Sequence, residues 1–184
     1  MTSRTLSKEK IISAAVELIN EQESLTFTNL SRKLGIRSQA IYNYYPDAMA
    51  LKIGIATNFY DTLIQRLQAD LLGLSGKQAI KAFANISVQY AMGQYLVAQQ
   101  IFSIPSGKIH DKDLDVSVDR VRVMLRQLLY PMVPDEKKRF VISRMLRNLI
   151  VGEIIHIGNG RFVNKAISAR DSFDQMLEIT LADI

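Results

Sequence analysis

The 184-residue sequence contains no cysteine, four prolines, nine glycines and two histidines. The missing cysteine excludes disulfides, zinc–thiolate sites and thiol catalysis together. His110 and His156 lie too far apart in sequence to form a local ligand pair, so no metal or cofactor is expected. No apolar run reaches the roughly 18 residues of a membrane span, and the opening stretch MTSRTLSKEK lacks the apolar core of a signal peptide. The expectation is a cytoplasmic, reducing compartment and no membrane partner. What is present is ordinary for a soluble globular chain: 48% hydrophobic and 22% charged residues, which excludes a disordered or fibrous protein. The length suits one medium domain or two small ones that share an interface. Twenty-three basic against eighteen acidic side chains leave a net charge of +5. That excess points to a polyanion, nucleic acid first, although a solvated basic surface explains it equally well.

The few prolines and glycines punctuate the chain, and between them apolar residues recur at three- and four-residue spacing. The fold class is therefore all-α. Ser7 is placed to cap a first helix, with Glu9 in its first turn and Leu6 and Ile11 spaced as a hydrophobic staple. Ile11, Ala15 and Leu18, with Ile12 and Ile19, form its apolar stripe. Thr26 caps a short helix from Phe27 to Leu34, which must stop at Gly35. A third helix is expected from about Ser38 to Tyr45, ended by Pro46. Asp47 then caps a long helix in which Leu51, Ile55, Phe59, Leu63 and Leu67 recur every fourth residue. Further helices are expected near 77–93, 94–104, 113–130, 135–157 and 165–182. Their breaks fall at Gly73–Gly76, at Pro105-Ser106-Gly107, from Pro131 to Pro134 and at Gly158-Asn159-Gly160, with Gly93 a weak break.

The informative stretch is LTFTNLSRKLGIRSQAIYNYY, residues 25–45: a capped helix, a tight turn with glycine, and a second short helix. This is the helix-turn-helix arrangement, whose second helix enters the major groove. Leu30 and Leu34, and likewise Ile41 and Tyr45, can pack on the stripe of the first helix. That leaves Ser38, Gln39, Ala40, Tyr42, Asn43 and Tyr44 outward. Gln39 and Asn43 carry the donor–acceptor pair that suits adenine, and Ala40 suits a thymine methyl. Tyr42, Tyr44, Thr28, Lys33 and Arg37 can donate to phosphates, which sets register without reading sequence.

Residues 25–51 resemble the DNA-binding motif of the TetR family of bacterial transcriptional regulators. The likeness rests on Leu25-Thr26, Leu34-Gly35-Ile36, Ile41-Tyr42, Tyr44-Tyr45-Pro46 and Leu51, on the N-terminal position of the motif, and on the long fourth helix and helical remainder that follow. The sequence departs from the pattern in four places. The family's lysine at the start of the fourth helix is Ala48, with Lys52 one turn on as a substitute. Its histidine is Tyr44, and its alanine is Ser31. Arg37 occupies a small capping position, which gives the cap to Ser38 and the DNA backbone to Arg37. The resemblance implies a helix-turn-helix domain at 1–47 and a helical ligand-binding and dimerisation domain at 48–184. It implies a homodimer on double-stranded operator DNA, and an unknown small-molecule effector. Tyr42 would be a phosphate contact, Thr28 and Asn43 DNA contacts, and Tyr45 core.

Beyond the motif, Phe59, Phe83, Tyr90, Met92, Tyr95, Phe102, Met124 and Met145 are candidates to line an apolar effector pocket, or else ordinary core. Family likeness places the last two helices in a four-helix bundle with their copies in a second subunit. Phe140, Leu149, Gly152, Phe173, Met176, Leu177 and Leu181 would then form the dimer interface; the alternative makes them this subunit's own core. Asp111 to Asp115 looks like the start of a calcium loop but fails at Val116 and Arg122. Gly158-Asn159-Gly160 lacks a third glycine and a preceding strand. No nucleophile–base–acid set is readable, so there are no catalytic residues and no enzyme is expected. The reading is a DNA-binding repressor released by a ligand. The alternative is a helical adaptor with a degenerate motif, for which Ala48 speaks.

Overall fold

The computed structural model describes residues 6–105, 111–164, 166–182 and 184. These residues form helices and connecting turns, with no strand among them. The helices are α1 (Lys8–Asn20), α2 (Phe27–Leu34), α3 (Ser38–Tyr42), α4 (Ala48–Asp70), α5 (Gly76–Met92), α6 (Tyr95–Phe102), α7 (Lys112–Leu129), α8 (Glu136–Gly158) and α9 (Ala169–Leu181). His110 and most of the expected Pro105-Ser106-Gly107 break lie outside the described residues.

Local chemistry sets the helix starts. Ser7, Thr26, Asp47, Asp135 and Ser168 each accept a bond from a backbone N–H three residues on, at 3.3, 3.1, 2.8, 2.6 and 3.0 Å. Each bond satisfies a donor that the first helical turn leaves open. Gly35 ends α2 at φ +65°, and the Ile36 N–H reaches back 3.0 Å to the Ser31 carbonyl. This six-to-one bond closes the helix.

Three boundaries depart from the sequence reading. α3 stops at Tyr42 rather than Tyr45, because the Tyr44 and Tyr45 N–H groups both turn back to the Ile41 carbonyl and Pro46 keeps Tyr45 out of the helical region. Ser38 does not cap α3. Arg37 holds the cap position without a side-chain bond, and Ser38 is the first helical residue. α9 begins at Ala169, not near 165, because Ser168 supplies its cap.

The chain divides into two compact units. The first holds the chain up to Tyr60 together with Leu96–Val116; the second holds Asp61–Tyr95 and Ser117–Ile184. In the first, α1 packs on α2 and α2 on α3. Ile11, Ala15, Leu18, Leu30, Ile41 and Tyr45 are buried, as the spacing predicts, while Leu34 is half-buried. Burial pushes the Tyr45 phenol pKa up. In the second unit α5, α8 and α9 pack on one another. All five α4 residues of the expected four-residue stripe, Leu51 to Leu67, are buried.

Gly54 lets α4 approach the Tyr45 ring. A Cβ built there stands 2.8 Å from Cε1 and 2.9 Å from the hydroxyl oxygen of a ring that is 6% exposed. Gly54→Ala is therefore expected to cost about 1–3 kcal/mol through overpacking. A lower urea midpoint at unchanged slope would show it; an unchanged midpoint would mean the ring moves aside freely.

Candidate nucleic-acid interface

The helix-turn-helix is α2, the Gly35 turn and α3. Two side-chain contacts fix α3 on α2. The Ser38 hydroxyl donates to the Ser31 hydroxyl at 2.9 Å, and Ser31 in turn donates to the Thr28 carbonyl at 2.9 Å. Phe27 meets the Tyr42 ring edge to face, with centroids 4.7 Å apart. Tyr42 is 49% exposed, so Phe27 steadies a phenol that remains half open to solvent.

Thr28, Arg37, Gln39, Tyr42 and Asn43 are exposed, and Ala40 is half-buried. Gln39 and Asn43 are four apart, which places them on one face. The structure thus brings two amides, one small side chain, a phenol and a guanidinium to the surface of one short helix and its flanks. The amides can meet base edges, and the phenol and guanidinium can donate to phosphate oxygens.

Four other candidates sit differently from the expectation. Lys33 turns to α1, with Nζ 2.9 Å from a Glu21 oxygen and 3.2 Å from Glu17. The Glu21 carboxylate, with Glu17, holds the ammonium pKa above its ordinary value. Tyr44 is half-buried, and its hydroxyl donates to the Leu6 carbonyl at 2.7 Å. Its donor is thus engaged within the chain. Ser38 is half-buried with its proton directed at Ser31. Lys52 is half-buried on the wall of a small crevice with Ile19, Ile55, Gln100, Ile101 and Ile104. Sequence reasoning missed Phe27 and the part played by Ser31. Both act across the turn, and no spacing rule links residue 27 to residue 42 or 31 to 38.

The candidate pocket residues divide. In the first unit Phe59 is buried and Phe102 half-buried; in the second Phe83 and Tyr90 are buried, and Met92, Tyr95 and Met124 half-buried. Burial pushes the Tyr90 phenol pKa up, and the Arg66 guanidinium lies 5.0 Å from its ring centre. Tyr95 donates to the Asn159 side chain at 3.0 Å and closes against Gly158, where any Cβ would overlap the ring. Met145 is a correction: it is 45% exposed on α8 and lines no interior. The dimer candidates divide as well. Phe173, Leu177 and Leu181 are at most 1% exposed, so they are core of the single chain. Phe140 is exposed, and Leu149, Gly152 and Met176 are half-buried. A Cβ added at Gly152 would meet nothing within 4 Å.

A helix-turn-helix head followed by a larger set of helices is the plan of helical transcription regulators. Comparison with known proteins finds regulators among those the chain resembles. No protein-family model matches the sequence. The chain is 23% identical over 163 residues to the uncharacterised HTH-type transcriptional regulator YobS of Bacillus subtilis (strain 168), covering 85% of this chain and 82% of that protein. The transcriptional regulator FadR of Bacillus subtilis, solved with stearoyl-CoA, superposes with a TM-score of 0.73 at 15% identity, over 97% of this chain and 100% of FadR. The TetR-family regulator PfmR of Thermus thermophilus gives 0.68 at 16% identity, over 95% and 98%. The chain has the fold of the TetR- and FadR-type transcriptional regulators. All three of these proteins are transcriptional regulators. Among the described residues no helix is long and apolar enough to cross a membrane.

Proposed function

We propose that this chain is a sequence-specific DNA-binding repressor that works as a homodimer and is released from its operator by a small molecule. The observation that carries the reading is the exposed set Gln39, Tyr42 and Asn43 on the second helix of the motif, with Arg37 and Thr28 beside it. Gln39 and Asn43 read bases, Ala40 lies against a thymine methyl, and Tyr42, Arg37 and Thr28 hold phosphates. Lys52 reaches a phosphate only by leaving its crevice.

Residues 1–47 act as the DNA-binding domain and 48–184 as the ligand-binding and dimerisation domain. The two compact units cut the chain elsewhere because α4 and α7 each contribute to both. The accessible residues Leu149, Gly152 and Met176, with exposed Met145 and Ile179, form the dimer face. One short helix contacts few bases, and a two-fold pair doubles them at half-sites about 34–36 Å apart. A FadR-type relative solved with stearoyl-CoA supports a small-molecule effector here too. Phe83 and Tyr90 are its nearest candidates in the second unit, and Phe59 in the first. An effector that prefers one of two states shifts their populations and with them the DNA affinity.

Mobility shift on DNA flanking the chain's own gene tests this. Tyr42→Ala is expected to weaken binding to all sequences alike. Gln39→Ala and Asn43→Ala should each cost about 1–3 kcal/mol at particular base pairs and relax preference there. Affinity should fall steeply with salt. If Tyr42→Ala left affinity unchanged, the docking would be wrong. The adaptor reading is favoured by one set of observations: Lys33 and Tyr44 are engaged within the chain, and Ala48 offers no cation. A chain that dimerises but shifts no flanking DNA would decide for it.

A further inference from the structure

The outer side of α7 and the start of α8 form a groove of about 450 Å³, within the size range of small-ligand sites. Val123, Tyr130 and Phe140 supply its apolar walls, and Arg126, Arg139 and Glu136 its charges. The apolar walls face water: Tyr130 is 61% and Phe140 43% exposed. Guanidinium groups flank both rings. Arg139 lies 5.0 Å from the Tyr130 ring centre, and Arg144 lies 4.8 Å from that of Phe140. Arg139 is held there because its Nη1 donates to the carbonyls of Val133 and Pro134, at 2.8 and 2.9 Å. The groove is thus built, with its aromatic rings braced by cations.

Its charge is out of balance. Burial lowers the Arg147 pKa, and the charges of Arg122, Arg144 and Arg126 lower it further. Three guanidinium groups, from α7 and α8, therefore act on that of Arg147. Arg122 has a carboxylate partner in Asp119, at 3.0 Å. Among the described residues Arg126 and Arg144 have none within ion-pair distance, although Glu136 lies on the same groove. Like charges gathered at this range repel, and a bound anion relieves the repulsion.

We propose that this groove binds a small organic anion. Its apolar, flat body lies against Val123, Tyr130 and Phe140, and its carboxylate or sulfonate oxygens accept from Arg126. A bare inorganic anion would leave the apolar walls wet. A second copy of the chain laid on this face by two-fold symmetry would set arginines against arginines, which is unfavourable. None of the buried aromatic residues offered for the effector lines this groove, and the proposal does not depend on DNA binding.

The test uses the full chain and two dyes of the same shape: 8-anilinonaphthalene-1-sulfonate, an anion, and N-phenyl-1-naphthylamine, its neutral counterpart. Fluorescence titration and calorimetry should give one sulfonate dye per chain, with the neutral dye weaker. Arg126→Gln should weaken the sulfonate by about tenfold or more, the scale of one lost charge-assisted hydrogen bond, and leave the neutral dye unchanged. Tyr130→Ala should weaken both dyes. Arg126→Lys should recover part of the loss, and Arg170→Gln, on α9, should change nothing. Melting curves check that each variant is folded. The proposal is overturned if the two dyes bind alike, if Arg126→Gln and Tyr130→Ala bind the sulfonate as the parent does, or if it binds at many unsaturable sites.

Discussion

Leu30→Ala is expected to lower stability by about 2–5 kcal/mol, the usual cost of emptying a buried leucine site, and to abolish the proposed DNA binding. Leu30 is fully buried in α2, in the same compact unit as Ile11, Leu18 and Ile41. The site cannot collapse cheaply. α2 is closed at one end by the Thr26 cap and at the other by the Gly35 turn, and the Ser31–Ser38 bond ties it to α3. A cavity there loosens the support on which Gln39, Tyr42 and Asn43 are presented. Urea unfolding with parallel mobility shift reads both effects. A variant that lost stability as expected but kept full affinity would show that α3 is positioned without its core.

Glu153→Leu is expected to raise stability, and to raise it more at pH 8 than at pH 5. Glu153 lies on α8 and is 2% exposed, and neither carboxylate oxygen has a hydrogen-bond partner. Burial raises its pKa above the usual carboxylate value. The folded chain therefore keeps this proton to higher pH than the unfolded chain does. As pH rises from the unfolded pKa, about 4.3, through the raised folded value, stability falls because the native state binds the extra proton. Leucine has nothing to titrate. The gap between variant and parent should widen across that window towards about 1–3 kcal/mol, the cost of an unsatisfied buried polar group. Unfolding free energies at the two pH values measure it. An equal gap at both would mean that Glu153 does not titrate across that range. His156, one turn further on, also has a buried and unpartnered Nδ1.

Much of this architecture was legible in the chain, and the reason is range. Ser7, Thr26, Asp47 and Asp135 act on an amide three residues away. Gly35 ends α2 through its own backbone angle. Such effects need no knowledge of the fold. The stripe from Leu51 to Leu67 is buried throughout because a four-residue period keeps one side of a helix apolar. The motif was readable for the same reason: its cap, glycine, turn and proline fall within some twenty residues.

What the sequence did not show required a partner elsewhere in the chain. Lys33 looked free until α1 brought Glu17 and Glu21 beside it. Tyr44 looked free until the Leu6 carbonyl came within 2.7 Å. Phe173, Leu177 and Leu181 were as apolar as any interface residue, yet the structure buries them in their own chain and leaves Met145 and Ile179 in water. Hydrophobicity states that a side chain is better out of water and is silent on what covers it. The sequence by itself determined where helices start and stop and which face of each is apolar, because those are local choices of backbone and spacing. Only the tertiary structure decided which donors are engaged, which apolar faces are matched within the chain and which arginines gather, because each depends on distances between segments that the order of residues does not contain.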